Sequence, residues 1–412
     1  MTALRYAVRA LALSLSLTAV GAFGVVGLVG AISPAHAAGG VPAGGVPAIS
    51  LPAISGPVGG PQLAAPGVIV NLDPGVPAPP AMPGSSFLIA DMDTGQILAA
   101  RAPHTPLLPA STLKTLTALT LIPRLDANTQ VVVQPDDVRV DGTRLGILPG
   151  TAYSVRMLLQ GLLMASGNDA AYALARANDG VAPTLAEMNA TAAGLGAFDT
   201  VAMDPSGLDR PGQTSSAYDL ALIGRAAMKL PDFRTYVSAK EAVFPGGLSS
   251  DGKMMPGFKI SSHNRLLYNY DGTIGIKNGY TIAAKQTYIG AATRGGKTYI
   301  VTEMASPNGS WRPTASLLDW AFANGASLTP IGELVEPGTA TRPQLTTAGG
   351  GLPQQPATEA APRAALSAMA LHKPTESARL PALQPWVGVA GLISGVALVG
   401  AFAARSIFRK GS

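Results

Sequence analysis

Thr273-Ile274-Gly275-Ile276-Lys277-Asn278-Gly279-Tyr280-Thr281 begins with an apolar run, and two more follow at 286–293 and 299–302. Runs of this length, bounded by glycine and polar residues and rich in β-branched side chains, read as strands. Far upstream, Phe87-Leu88-Ile89-Ala90-Asp91-Met92-Asp93-Thr94-Gly95-Gln96-Ile97-Leu98-Ala99 sets two apolar runs around an Asp-x-Asp-Thr-Gly turn, the pattern of a β-hairpin. Between these regions the period changes. Pro109 precedes Ser111, and Leu113, Leu116, Leu119 and Ile122 recur every three residues, predicting a helix that buries one face. Ser154 can cap a second helix lined by Val155, Leu158, Leu159, Leu162 and Leu163, ending just before Ser166. A last amphipathic helix is predicted near 314–322. Strand, helices, strands, helix is an α+β arrangement: a sheet covered by helices, with an all-α region inserted between the first and later strands.

The 412 residues include no cysteine, so disulfides, thiolate zinc sites and cysteine nucleophiles are excluded and stability must come from packing. Two histidines, His104 and His263, fall in the expected folded region. They supply a Ser-His-Asp triad thinly and lack H-x-x-x-H spacing, so both read as structural, and no metal or cofactor is expected. The net charge of +5 owes part of its value to Arg5, Arg9, Arg405, Arg409 and Lys410 near the ends. It therefore reads as membrane topology rather than a nucleic-acid surface, and no nucleic-acid partner is expected.

The same ends suggest the domain plan. Residues 1–37 combine Arg5 and Arg9, a long apolar run and Ala35-His36-Ala37, the pattern of a cleavable signal peptide; an uncleaved anchor is the alternative. Residues 38–84 repeat Gly-Gly-Val-Pro-Ala and continue in Pro, Gly, Ala and Val, which reads as a linker; 339–385 is a second one. The folded catalytic region is placed at 85–330. Residues 386–404 carry no charge, start at Trp386 and precede basic residues, predicting a membrane-spanning helix with a cytoplasmic tail at 405–412. A buried core helix is the alternative reading. On the membrane reading, the body of the protein lies on the outer, cell-wall side of the cell membrane.

Three short strings carry chemistry: Ser111-Thr112-Leu113-Lys114, Ser166-Gly167-Asn168 and Lys277-Asn278-Gly279. In that order they nearly match S-x-x-K, S-D-N and K-T-G. A serine hydroxyl is a poor nucleophile until a base removes its proton, and a lysine three residues along a helix shares its face. On its own, S-x-x-K reads more simply as a capping serine beside a solvated lysine, and Lys-Asn-Gly as an ordinary turn. The ordered triple reverses that preference. Ser166 could relay a proton, Asn168 could hold a substrate amide, and Gly279 could let an extended peptide lie along the strand edge.

With the surrounding blocks 109–114, 162–171, 207–213 and 275–281, the chain resembles the D-alanyl-D-alanine carboxypeptidase family of low-molecular-mass penicillin-binding proteins. The resemblance implies a penicillin-binding-protein/β-lactamase-like fold. It implies Ser111 as the nucleophile acylated by a D-Ala-D-Ala stem peptide of peptidoglycan or by β-lactam antibiotics, Lys114 as its general base, and Ser166 and Asn168 as the second motif. Lys277, Gly279, Tyr280 and Thr281 would bind substrate, with the backbone N–H groups of Ser111 and Tyr280 forming the oxyanion hole. Arg312 stands where some members place an arginine suited to a terminal carboxylate. Asn278 departs from the usual threonine of K-T-G.

The alternatives are a D,D-endopeptidase using the same residues, a β-lactamase, and a non-catalytic peptidoglycan-binding module. Glu187 is followed by Met188-Asn189-Ala190-Thr191 and so lacks the E-x-x-L-N context of a class A deacylation base, while the intact motifs oppose the silent module.

Overall fold

The computed structural model describes residues 56–342, apart from Ser250 and Asn308. They belong to one compact unit, Met1–Gln344. The expected signal peptide, membrane helix and tail lie outside the described residues; among those described, no helix is long and apolar enough to cross a membrane.

An N-terminal arm with a short 3-10 helix (Pro61–Ala64) leads to β1 (Val68–Val70) and then to the hairpin β2 (Ser86–Asp91) and β3 (Gln96–Arg101). A second 3-10 helix (Ala110–Leu113) runs directly into α1 (Lys114–Leu121). The inserted region holds β4 (Gln130–Val132), the one-turn α2 (Pro135–Val138) and β5 (Ala152–Ser154), followed by α3 (Val155–Met164), α4 (Asn168–Ala177) and α5 (Val181–Gly194). It continues with α6 (Ala217–Ala227), α7 (Pro231–Ser238), the ribbon β6 (Glu241–Phe244) and β7 (Phe258–Ser261), and the one-turn α8 (Leu266–Asn269). The chain returns with β8 (Thr273–Thr281), β9 (Lys285–Arg294) and β10 (Lys297–Ser306), then α9 (Arg312–Asn324) and the short β11 (Gly332–Glu333).

The main sheet is antiparallel, in the order β1-β3-β2-β10-β9-β8, with β11 also paired to β3. Every residue of β2 is buried. Its alternating side chains divide between two cores: Leu88 and Ala90 join Leu116, Leu162 and Ile223 of the inserted helices, whereas Phe87 and Ile89 join Leu317, Leu318 and Trp320 of α9. A central strand covered on both faces needs apolar residues at both parities, which is why 87–90 reads as a continuous run. The α+β expectation stands, with two small ribbons, β4–β5 and β6–β7, inside the region expected to be wholly helical.

Helix α1 buries more than one face. Lys114, Thr115, Leu116, Thr117, Ala118, Thr120 and Leu121 are all buried because α3, α5 and α6 surround it. The linker boundary at 84 is also corrected, since the chain belongs to the domain from Gly56: Leu63, Ile69 and Met82 are buried, and β1 pairs with β3. The Glu333 N–H donates to the Gly59 carbonyl at 2.8 Å. The arm and the last strand thus meet along the outer edge of β3, while β8 forms the opposite edge of the sheet.

His104 secures this arm. Its Nδ1 lies 2.8 Å from Asp199 Oδ2, its Nε2 3.0 Å from the Val58 carbonyl, and its ring packs on Tyr218.

Candidate active site

Ser111 sits in the 3-10 turn rather than in the α-helix that follows. In a 3-10 turn residues three apart eclipse one another, which places the side chain of Lys114 beside Ser111. The preceding Ala110 has φ +48°, and Ser166, in the turn between α3 and α4, has φ +61°. Non-glycine residues in this left-handed region carry about 1–2 kcal/mol of backbone strain each, held in place here by dense surroundings.

Those surroundings can be named. A Cβ on Gly207 would fall 2.0 Å from the Ala110 carbonyl oxygen, and one on Gly279 would fall 2.6 Å from the Ser111 nitrogen. The Thr287 hydroxyl, opposite Gly279 on β9, donates to the Pro109 carbonyl at 2.8 Å. The serine turn is therefore pressed against β8 and β9 wherever side chains are missing. This corrects the reading of Gly279: the space above it is filled by the serine turn, not kept open for substrate. Gly279→Ala is expected to displace the turn and slow penicillin acylation by about 100-fold. Stopped-flow acylation checks this, with circular dichroism reporting an intact fold; a near-normal rate would remove the close-approach argument.

Lys114 is fully buried, and its Nζ lies 3.0 Å from Ser111 Oγ, 2.6 Å from Asn168 Oδ1 and 2.6 Å from the Ser206 carbonyl oxygen. A neutral amine has two N–H donors and one lone pair. Asn168 and Ser206 accept the two donors, which leaves the lone pair for the Ser111 hydroxyl. Burial, followed by repulsion from Lys277, holds the Lys114 ammonium well below the ordinary lysine range, against the opposing pull of Asp204 and Asp169. Lys277 is 1% exposed, and burial lowers it to about 7. It sits within β8 rather than at a strand end, and its Nζ donates to the Asn278 carbonyl at 2.7 Å.

Asn168 is engaged at both ends, since its Nδ2 also donates to the Asp141 carbonyl at 2.6 Å. It grips Lys114 instead of standing free for a substrate amide. Ser166 is buried in the turn between α3 and α4. Tyr280 is 65% exposed at the end of β8, and Thr281 donates to Asp209 at 3.0 Å. Arg312 opens α9 with an exposed side chain whose guanidinium lies over the Trp311 ring, 5.1 Å from the ring centroid. Glu187 is held by Arg124 and Asn178, 3.1 and 2.7 Å away, leaving it no contact with Ser111.

Sequence reading missed Thr287, whose role depends on strand register, and Asp169, whose carboxylate accepts from the backbone N–H groups of Leu145, Gly146, Ile147 and Ala170. An acidic residue in the first turn of α4 was the available signal for Asp169. His263, read as structural, has a ring near enough to Lys277 to be lowered by it, after burial.

A sequence profile described as D-alanyl-D-alanine carboxypeptidase matches residues 75–308. The D-alanyl-D-alanine carboxypeptidase DacB2 of Mycobacterium tuberculosis is 43% identical over 255 residues, which cover 60% of this chain and 85% of that protein. DacF of Bacillus subtilis is 30% identical over 248 residues, 58% of this chain and 62% of that protein. A crystal structure of a D-alanyl-D-alanine carboxypeptidase from M. tuberculosis aligns with TM-score 0.59 and 40% identity, covering 64% of this chain and 99% of the other. The Streptomyces K15 DD-transpeptidase aligns with TM-score 0.56 and 30% identity, covering 60% of this chain and all of the other. With this profile match and the Ser111–Lys114 geometry, the chain belongs to the D-alanyl-D-alanine carboxypeptidase family, serine peptidases of the penicillin-binding-protein type.

Proposed function

We propose that Ser111 is the residue through which this carboxypeptidase forms its acyl-enzyme, on peptidoglycan stem peptides ending in D-Ala-D-Ala and on β-lactams. The observation that carries the reading is the buried amine of Lys114, 3.0 Å from Ser111 Oγ with its two N–H donors already taken. As Ser111 Oγ bonds to the carbonyl carbon of the penultimate D-Ala, its proton passes to Lys114 Nζ. The oxyanion is held by the N–H groups of Ser111 and Tyr280, which the close packing of the serine turn on β8 supports. The peptide C–N bond then breaks, the leaving D-alanine takes the proton, and water releases the shortened peptide from Ser111. The hydroxyl of Ser166 and the partly deprotonated Lys277 suit relay of that proton.

The same reading places the enzyme on the outer face of the cell membrane, behind a cleaved signal peptide at 1–37 and tethered by 386–404, a run without charge that ends at Arg405. One experiment covers both parts. Cells expressing the full chain are labelled with a fluorescent penicillin, fractionated, and assayed for free D-alanine, alongside a chain truncated before Trp386. The label is expected on Ser111 by mass spectrometry, in the membrane fraction for the full chain and in the soluble fraction for the truncated one. An acyl group on another serine would overturn the nucleophile, and a truncated chain still in the membrane would move the anchor to the N-terminus. Label without D-alanine release would favour an endopeptidase.

A further inference from the structure

Asp204 is 1% exposed, yet no part of its carboxylate is idle. Oδ1 accepts from the backbone N–H of Ser206 at 2.8 Å and from the Ser206 hydroxyl at 2.6 Å. Oδ2 accepts from the Tyr172 hydroxyl of α4 at 2.8 Å and from Arg210 Nε at 3.2 Å. Gln213 closes the same loop: its Oε1 accepts from the Asp204 N–H at 3.0 Å and its Nε2 donates to the Leu208 carbonyl at 2.7 Å. The Asp204-Pro205-Ser206 turn, fixed in this way, directs two successive carbonyls at α1. Pro205 O accepts from the Thr117 hydroxyl at 2.7 Å, and Ser206 O accepts from Lys114 Nζ at 2.6 Å.

We propose that Asp204 is a positioning residue for the acyl-transfer base: its carboxylate locks the turn that aims the Ser206 carbonyl at Lys114, and it stands behind that turn as a fixed negative charge. The inference rests on Lys114 being the base that deprotonates Ser111. The direction in which the lone pair of Lys114 points depends on where its two N–H donors are held, and Asp204 fixes one of those two acceptors.

The charge matters as well as the geometry. Lys114 is faced by Lys277 from β8, by Asp169 from α4, and by Asp204 from the 203–213 loop, Asp204 being bonded in turn by Tyr172 and Arg210. Burial and Lys277 lower the proton affinity of Lys114, whereas Asp204 and Asp169 raise it. Asp169 spends its carboxylate on four backbone N–H groups. Asp204 has a counter-ion, Arg210, whose side chain is 52% exposed, so its effect on Lys114 can be altered from the surface.

Two variants should therefore move the acid limb of the pH–rate profile in opposite directions. Asp204→Asn keeps an oxygen for the Ser206 N–H but removes the charge. Its acid limb for second-order penicillin acylation should shift to lower pH by about half a unit or more, with a plateau reduced about tenfold. Arg210→Met leaves Asp204 without its offsetting cation, and its limb should shift to higher pH by a few tenths of a unit. A lowered plateau with an unmoved limb in Asp204→Asn would reduce Asp204 to a structural brace and overturn the proposal. Should Asp204→Asn fail to fold, Arg210→Met decides alone, and an unmoved limb there overturns it. The wild-type profile keeps the two readings apart. If it has no acid limb, or if the acyl group is not on Ser111, the base assignment itself fails; if Ser111 is labelled and only the variants fail to shift, Asp204 falls while Lys114 stands.

Discussion

Lys114→Arg is expected to lower both penicillin acylation and D-alanine release by about 1,000-fold or more, although it keeps a long basic side chain at the same place. A guanidinium stays protonated at any pH the fold survives, so it has no lone pair to offer Ser111. Its planar fork also cannot reproduce the arrangement in which Asn168 and Ser206 take two hydrogens and leave the third direction open. Ser111→Ala should lose at least as much, because without Oγ there is nothing to acylate. Gel-based fluorescent labelling and a D-alanine assay on the purified proteins measure both. Near-normal acylation by Lys114→Arg would end the general-base assignment, even with the label on Ser111.

Lys277→Met should separate activity from stability. Activity should fall by about 100-fold or more, since an ammonium that titrates near neutral pH is lost from the β8 edge beside the serine turn. Stability at pH 7 should rise by about 1–3 kcal/mol, because a thioether of similar length needs no desolvation of charge. The sign follows from linkage: Lys277 titrates at about 7 when folded and near 10.5 when unfolded. Between those values the unfolded chain binds the extra proton, so wild-type stability gains from this group as pH rises, and its penalty is fully present below about 7. The advantage of Lys277→Met in urea denaturation should therefore shrink steadily from pH 7 to pH 10. A constant difference across that range would show that Lys277 is not buried as a strained cation. Lys114 is present in both proteins, and losing the repulsion of Lys277 relieves part of its own penalty, which adds to the advantage of the variant at low pH.

These effects explain which parts of the molecule the sequence disclosed. The hairpin at 86–101 and the three later strands were legible as apolar runs bounded by turn residues, and α9 by its amphipathic period. The three motifs were legible because the chemistry needs particular residue types close together in the chain. Features made by distant segments were not. The full burial of α1 depends on three other helices, and its threonines look solvent-facing until Thr117 is seen to donate to Pro205. Gly279 looked like an open edge because its steric partner, the nitrogen of Ser111, lies far away in sequence. Asn168 looked available because nothing local reveals that Asp141 and Lys114 already hold it. The arm before β2 read as linker because Pro and Gly dominate it, yet three apolar residues, Leu63, Ile69 and Met82, suffice to seat it. Ser206 reaches Lys114 only through its carbonyl oxygen, a group every residue has, so no composition could single it out.

The meeting of Gly59 and Glu333 has a mechanical meaning. A pull applied to the arm is balanced at β11 beside β3, across the Glu333–Gly59 hydrogen bond, the hydrogen bond from Asn71 Nδ2 to the Pro330 carbonyl and two short strands. The load path closes at the root of the domain. It does not cross β2, β10 and β9 to reach β8, where the serine turn is seated. A pull on the arm therefore leaves the close approach of Gly279 to the Ser111 nitrogen outside the strained circuit.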